Sequence, residues 1–127
     1  ISHHYGINQF KKYGLSMITV VNRSYCKKIL ILLPGQAHPE QYHKIKEETF
    51  HILWGDGVLK IDGVKHDLFK GELYTILPGQ RHYFESKNGL IIEEISSTHS
   101  KEDSYYSDDS IKNNPNRKTF LSHWRLN

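Results

Sequence analysis

Two histidine-bearing motifs contain the residues best suited to chemistry. Residues 35–55 have the order Gly-x5-Gln-x-His-x4-Glu-x6-Gly, in which the polar members are Gln41, His43 and Glu48. Side chains alternate along a strand, so Gln41 and His43 are predicted to share a face. Glu48 begins a second alternating series, whose other members are Phe50, Ile52 and Trp54. If those apolar residues point inward, so does Glu48. A buried carboxylate beside imidazoles is costly unless a cation compensates, which indicates a divalent-metal site.

The sequence Leu-Pro-Gly-Gln-x-His occurs twice. The first copy ends at His38 and the second at His82, a spacing of 82 − 38 = 44 residues. His82 lies in a strand-like run and shares a face with Phe84, so it is a further candidate ligand. His38 is expected in the loop before the ligand strand, either at the mouth of the pocket or in solvent. The repeat therefore predicts two similar turns whose histidines have different roles.

Composition narrows the class of protein. A chain of 127 residues is long enough for one core and short for two. No apolar run approaches the ~20 residues of a membrane helix. The net charge of +3 is scattered along the sequence, which argues against nucleic-acid binding. The single cysteine, Cys26, cannot form an internal disulfide, so a reduced, cytoplasmic setting is expected.

Short β-branched and aromatic runs separated by Gly, Pro and Asp-Gly predict an all-β fold of roughly eight strands, a sandwich or a barrel. Asp62-Gly63 predicts a tight hairpin, because both central residues of such a turn need positive φ. We expect residues 1–15 to form an arm or linker and residues 16–96 the barrel. The polar residues 97–127 are expected either to pack on the barrel or to be partly disordered.

Both motifs resemble those of the cupin family. Its first motif reads Gly-x5-His-x-His-x3 or 4-Glu-x6-Gly, and its second contains Pro-Gly followed by a late histidine. Residues 35–55 resemble the first motif and residues 71–82 the second. The resemblance implies a cupin barrel, also called a double-stranded β-helix or jelly roll, and cupins commonly form homodimers. It also implies a metal ion, Mn, Fe, Co, Ni or Zn, held by His43, Glu48 and His82.

Gln41 departs from this pattern, because the family more often has histidine at its position. An amide oxygen is a weaker ligand than an imidazole nitrogen, so Gln41 is either a fourth ligand or only lines the pocket.

A closer resemblance covers nearly the whole chain. The stretches "YGLSMITVVNRSYCKKILILLPGQAHPEQYHKIKEETFHILWGDG", "EEISSTHSKEDSYYSDDSI" and "NRKTFLSHW" are similar to the C-terminal cupin domain of N-acetylneuraminate (sialic acid) synthase-like proteins. That resemblance implies a domain of a longer polypeptide that recognises a sugar or sugar derivative in nonulosonic acid or surface polysaccharide biosynthesis. The absence of an initiator Met agrees with it. The synthase's own catalytic barrel has no counterpart in these residues.

Two other functions are compatible with the sequence: a stand-alone metal-dependent sugar isomerase or epimerase acting through an enediol, and a non-catalytic sugar-binding or oligomerisation module. In an isomerase the general acid or base would be Glu93 or Glu94, one of which strand alternation directs inward; otherwise both are solvated at a strand end. The candidate sugar-binding residues are His38, Tyr42, Lys46 and Phe84.

Overall fold

The computed structural model describes residues 1–4 and 14–120, except for the side chains of residues 3, 4, 119 and 120. The remainder of the predicted arm and tail, residues 5–13 and 121–127, lies outside the described residues. The described strands are β1 (Ser2–His4), β2 (Leu15–Asn22), β3 (Tyr25–Leu32), β4 (Ala37–Tyr42), β5 (Glu48–Gly55), β6 (Gly57–Ile61), β7 (Val64–Leu68), β8 (Leu73–Ile76), β9 (His82–Glu85), β10 (Leu90–Ser97), β11 (Tyr105–Tyr106) and β12 (Lys118–Phe120). A 3-10 turn spans Lys101–Asp103, and α1 spans Asp109–Lys112.

The strands form two antiparallel sheets around one core. The larger sheet has the order β12-β1-β2-β3-β10-β5-β8, and the smaller one β11-β4-β9-β6-β7. Both sheets contribute to the same buried cluster, which includes Leu30, Phe50 and Ile92 from the larger sheet and Leu59 and Phe84 from the smaller. The predicted all-β jelly roll is confirmed. Among the described residues, no helix is long and apolar enough to span a membrane.

The two Leu-Pro-Gly-Gln turns have the same construction. The glycine of each has φ of 85°, which an L side chain rarely adopts. In the first turn the Gln36 backbone N–H donates to the Leu33 carbonyl (3.0 Å), and the Gln36 side-chain oxygen accepts from the Leu33 N–H (3.0 Å). Gln80 and Leu77 make the same two bonds, at 3.1 and 2.8 Å. The prediction of two similar strand-ending turns is confirmed.

The hairpin between β6 and β7 also follows the prediction. Asp62 and Gly63 have φ of 48° and 81°, so both central residues are left-handed, as a tight hairpin turn requires. The turn places Ile61 opposite Val64 and fixes the register of the pair.

Strand β4 begins earlier than predicted and brings His38 inside. His38 pairs with Phe84 while Gln41 pairs with His82, so β4 contains one residue more than β9 between these pairs. This β-bulge contains Pro39, a residue that strands tolerate mainly at edges and bulges. Because of the extra residue, His38 and Gln41 both face inward, with exposures of 4% and 8%. The expectation that His38 lies in a loop is wrong.

A second bulge removes Trp54 from the core. Ile91 pairs with Trp54 but Ile92 pairs with Ile52, which leaves one extra residue on β5. The inward and outward positions exchange at that point, so Ile52 is 1% exposed and Trp54 is 54% exposed. The expectation that Trp54 points inward is wrong.

The C-terminal part of the described chain joins both sheets, whereas the N-terminal strand joins the larger sheet alone. Ser2–His4, in the segment expected to be an arm or linker, pairs with β2 and β12 in the larger sheet. Within residues 97–120, β11 pairs with β4 at the edge of the smaller sheet, and β12 pairs with β1 in the larger. Between them, the Asp108 carboxylate accepts a hydrogen bond from the Ser110 N–H and caps α1. We call residues 97–118 the covering segment.

Candidate metal centre and cavity

Three strands direct His43, Glu48 and His82 to one point. His43 follows β4, Glu48 begins β5 and His82 begins β9. The Nε2 atom of His82 lies 2.8 Å from Oε1 of Glu48, and Nε2 of His43 lies 3.4 Å from the same oxygen. All three side chains are buried, and their ligand atoms lie within 4.8 Å of one another.

Backbone carbonyls orient both imidazoles. The Nδ1–H of His43 donates to the Asp103 carbonyl (2.7 Å), and that of His82 donates to the Gln80 carbonyl (3.0 Å). In the neutral ring the Nε2 atom is then an acceptor, directed at the Glu48 carboxylate, itself an acceptor. Within the described residues, these atoms have no hydrogen bond of good geometry. Two imidazole nitrogens and one carboxylate, with both rings held in orientation, form a donor set that suits a divalent transition metal. The residues present therefore fit the ion that the motif implies.

The electrostatics of the cluster are consistent with a cation site. Burial alone would raise the pKa of Glu48, but Lys46 and the two imidazoles outweigh it and hold that pKa well below its usual range. Burial alone would lower the pKa of His82, whereas contact with Glu48 raises it. A proton on His82 can therefore bridge to Glu48 when no cation is present. Metal binding at this cluster would release that proton.

His38 orients Gln41. The Nδ1–H of His38 donates to the Pro39 carbonyl (2.9 Å), so its Nε2 accepts the Gln41 amide N–H (3.3 Å). Burial, and after it the charge of His82, lowers the pKa of His38 to about 3, so the ring is neutral. The Gln41 carbonyl oxygen is not used in this contact. This supporting role of His38 was missed in the sequence, where Pro39 was the only sign of the bulge.

A small cavity lies beside the cluster. The space open to the centre of a water molecule is about 40 Å³, enough for roughly three ordered waters. Its lining includes His38, Gln41, His43, Lys46, Phe84, Glu94 and, from the covering segment, His99, Lys101, Ser104, Tyr106, Arg117 and Lys118. The covering segment therefore forms one side of the cavity wall.

Glu94 and Lys46 are the buried charged pair of the cavity. The Lys46 Nζ atom lies 3.2 Å from Oε2 of Glu48 and 3.5 Å from Oε2 of Glu94. Burial, followed by the nearby Glu48 carboxylate, raises the pKa of Glu94. Burial would lower the pKa of Lys46, but Glu94 and Glu48 outweigh it and raise that pKa. Lys46, expected among the sugar-binding residues, therefore bridges two carboxylates.

Two of the predicted site residues lie outside the cavity. Glu93 is on the outer face of β10, where its carboxylate meets Lys27 Nζ (3.0 Å) and His51 Nδ1 (3.2 Å). Those contacts, Lys27 first, lower the pKa of Glu93. Strand alternation separates it from Glu94, so the catalytic assignment of Glu93 is abandoned. Tyr42 also faces outward and stacks on Tyr105 with ring centroids 5.1 Å apart, which removes it from the pocket.

Asp103 is a site residue that the sequence did not reveal. Its buried carboxylate accepts hydrogen bonds from the backbone N–H groups of Lys44 (2.9 Å), Ile45 (3.2 Å) and Lys46 (2.9 Å). Its carbonyl also accepts from His43. Asp103 therefore fixes the loop that carries a ligand and joins it to the covering segment. Nothing in the polar run around it distinguishes it from its neighbours.

The facing sheets and the buried His, Glu, His cluster together define a small β-barrel of the cupin class. The family model described as "Cupin domain" matches residues 28–89. The chain is 31% identical to the D-lyxose ketol-isomerase of Cohnella laeviribosi, across 87% of this chain and 77% of that protein. The chain is also 31% identical to the D-lyxose/D-mannose isomerase of Thermosediminibacter oceani, again across 87% of this chain and 77% of that protein. The chain belongs to the cupin family.

Solved structures agree on the fold. KdgF from a Halomonas species superposes with a TM-score of 0.64 at 12% identity, across 77% of this chain and 96% of that one. The relatives found are sugar isomerases and not synthase domains, so the closer resemblance to N-acetylneuraminate synthase-like proteins is not supported, whereas membership of the cupin family is confirmed.

Proposed function

We propose that this protein is a metal-dependent sugar isomerase that interconverts an aldose and a ketose. The observation that carries the proposal is the placement of Glu94, a buried carboxyl group with raised pKa, in the same cavity as His43 of the candidate metal cluster. The similarity to D-lyxose ketol-isomerases supports the same reaction class.

The proposed chemistry divides between the metal and the chain's own groups. A bound divalent cation would polarise the carbonyl of the sugar and its neighbouring hydroxyl. Glu94, as a carboxylate, takes the proton from C2 of the aldose while the hydroxyl proton at C2 passes to the oxygen at C1. Glu94 then returns its proton to C1 of the resulting enediolate, which gives the neutral ketose. A pKa raised toward neutral pH suits a group that both accepts and donates.

The charged neighbours and the covering segment assist this transfer. Lys46 lies 3.5 Å from Glu94 and offers the carboxylate form a charged partner, so that ionisation in a buried site is not prohibitive. The covering segment contributes His99, Ser104 and Tyr106 to the wall of the cavity that holds Glu94.

The substitution Glu94→Gln tests the proposal. We expect aldose–ketose turnover to fall at least about a hundredfold, because general acid–base catalysis is lost, while bound metal is retained. Glu93→Gln makes the same chemical change on the adjacent outward side chain and should leave turnover unaltered. Full turnover in Glu94→Gln would remove Glu94 from the mechanism.

The second candidate is a non-catalytic sugar-binding or oligomerisation module, for which the small cavity is the favouring observation. In that case Glu94→Gln would alter no activity, because there would be none. Fusion to a synthase and pairing into a homodimer stay predictions.

A further inference from the structure

Positive charge exceeds negative charge around the cavity. Five cationic side chains line it: Lys28, Lys46, Lys101, Arg117 and Lys118. The carboxylates nearby are Glu94, which lines the cavity, Glu48, which contacts the Lys46 Nζ atom, and Asp103, which accepts from the Lys46 backbone N–H. With all three carboxylates ionised the excess is 5 − 3 = 2 positive charges, and a divalent metal would increase it. Residues 5–13 and 121–127 contain no Asp or Glu that could compensate.

Three of these cations have no ion pair within the described part of the chain. No carboxylate there forms a salt bridge with Lys28, Arg117 or Lys118. Lys28 is only 3% exposed, and burial lowers the pKa of its ammonium while the charge of Glu94 opposes that shift. Burial, and after it the charges of Lys28, Arg117 and Lys101, lowers the pKa of Lys118 to about 8. The cations therefore repel one another, and an anion among them would relieve that repulsion.

His99 adds a hydrogen-bond donor to the same region. Its Nδ1 atom lies 3.3 Å from Nζ of Lys46 and accepts a hydrogen bond from it, so the ring proton is on Nε2. The Nε2 atom is buried and lacks a hydrogen-bond partner among the described residues. Burial, followed by the charges of Lys28 and Lys46, lowers the pKa of His99 to about 2, which keeps the ring neutral. An acceptor in the cavity would satisfy this donor.

We propose that the sugar substrate carries an anionic group, a phosphate monoester or a carboxylate, which binds among Lys28, Arg117, Lys118 and His99. The identity of the ligand as a sugar rests on the proposed function, whereas the anion site rests on the charges. All but Lys28 belong to the covering segment, so the anion would also hold that segment over the cavity. The curated relatives are named for D-lyxose and D-mannose, which are neutral, and this chain would differ from them in substrate class.

Isothermal titration calorimetry on the metal-loaded protein tests the inference directly. The probes are D-mannose, D-mannose 6-phosphate, D-glucuronate and inorganic phosphate. We expect at least one of the anionic sugars to bind about tenfold or more tightly than D-mannose, and its affinity to fall as salt is added. The two anionic sugars distinguish phosphate from carboxylate recognition.

Matched variants locate the site. Lys118→Gln should weaken binding of the preferred anionic sugar about tenfold or more, because one charge partner is lost. Lys70→Gln removes the same charge from an exposed turn outside the cavity and should change nothing. Arg117→Gln provides a second variant if Lys118→Gln does not fold.

The outcomes separate this inference from the proposed function. Equal affinity for D-mannose and the anionic sugars, binding of none of the three anions, or equal losses in Lys118→Gln and Lys70→Gln would overturn it. Tight anion binding without aldose–ketose turnover would refute the isomerase and leave the anion site standing. Turnover of D-mannose without tighter binding of an anionic sugar would refute the anion site and leave the isomerase standing.

Discussion

In each histidine of the cluster, the choice of ring nitrogen that carries the proton determines whether a metal can bind. Backbone carbonyls take the Nδ1–H groups of His43 and His82, which leaves both Nε2 atoms directed at Glu48. His38 is held in the same way, since its Nδ1–H donates to the Pro39 carbonyl. Its Nε2 atom therefore accepts the amide N–H of Gln41 and sets the orientation of that side chain. The ligand set therefore depends on hydrogen bonds that a residue pattern does not record.

The substitution Gln41→His should strengthen metal binding. An imidazole is a better ligand than an amide oxygen for Zn²⁺ or Ni²⁺, so affinity should rise about tenfold or more, measured by competition with a chromophoric chelator. Tyr42→His places an imidazole on the outward face one residue away and is the matched control. If both variants bind as the wild type does, Gln41 only lines the cavity.

The substitution His99→Asn should reduce the pH dependence of stability. The pKa of His99 is lowered from 6.5 to about 2 on folding, so below pH 6.5 the unfolded chain binds a proton that the folded protein does not. The contribution of the neutral, buried His99 to the free energy of unfolding is therefore fully present above pH 6.5, and it is lost progressively as the pH falls below that value. Between pH 6.5 and 5, His99 should account for about 1.5 kcal/mol of the decrease in unfolding free energy.

Denaturant unfolding of the chelator-treated wild type and variant at both pH values measures this contribution. The expected result is a smaller decrease in His99→Asn by that amount. Equal decreases in the two proteins would show that His99 is not held neutral in a buried site.

At the scale of elements, the loop after β4 and the 3-10 turn Lys101–Asp103 act as one unit. Asp103 is the contact between them, since its carboxylate binds three backbone N–H groups of the loop and its carbonyl binds His43. The position of a metal ligand is thereby coupled to the covering segment, about 60 residues further along the chain.

The substitution Asp103→Ala should lower both stability and metal affinity. Loss of a buried carboxylate that accepts several backbone hydrogen bonds should cost about 2–3 kcal/mol of unfolding free energy. Metal affinity should fall about tenfold or more, because the loop that carries His43 loses its support. Glu102→Ala alters the adjacent exposed side chain and should change neither quantity. Indistinguishable behaviour of the two variants would contradict the role of Asp103.

Local sequence patterns predicted the turns, whose conformations are determined by a few neighbouring residues. The hairpin at Asp62-Gly63 and the two Leu-Pro-Gly-Gln turns follow from residues that tolerate positive φ. Strict alternation failed at the two bulges, where a single extra residue reverses the faces and moves His38 inward and Trp54 outward.

Long-range contacts of the covering segment were not predictable. Asp103 resembles the other acidic residues of its polar run until folding brings it to the loop after β4. The excess of cations is likewise invisible along the chain, since Lys28 and Lys118 are separated by 90 positions and meet only at the cavity.

At the scale of the whole molecule, the covering segment connects the cavity with the edge of the smaller sheet. Its space of about 40 Å³ lies under residues of the covering segment, one strand of which, β11, pairs with β4. The cross-strand partners Tyr42 and Tyr105 stack at that junction. If a sugar enters by displacing the covering segment, this two-residue pairing has to give way.

A disulfide across this junction should block the proposed turnover reversibly. Cysteines in place of Tyr42 and Tyr105 occupy paired strand positions whose separation suits a disulfide. We expect the oxidised double variant to keep its metal and lose most turnover, and dithiothreitol to restore it. Tyr42→Cys alone should respond to neither treatment. Undiminished turnover in the oxidised form would show that the sugar enters by another route.

The most direct test of the account is aldose–ketose interconversion in D₂O, followed by NMR on chelator-quenched samples. The metal-loaded wild type would be given D-lyxose, D-mannose and D-mannose 6-phosphate, with His43→Ala in parallel. We predict a ketose from the wild type and none from His43→Ala, because proton transfer by Glu94 requires the metal. Solvent deuterium at C1 of that ketose would measure how often the Glu94 proton exchanges with solvent before it is returned. No ketose from any of the three sugars with metal-loaded wild type would contradict the isomerase.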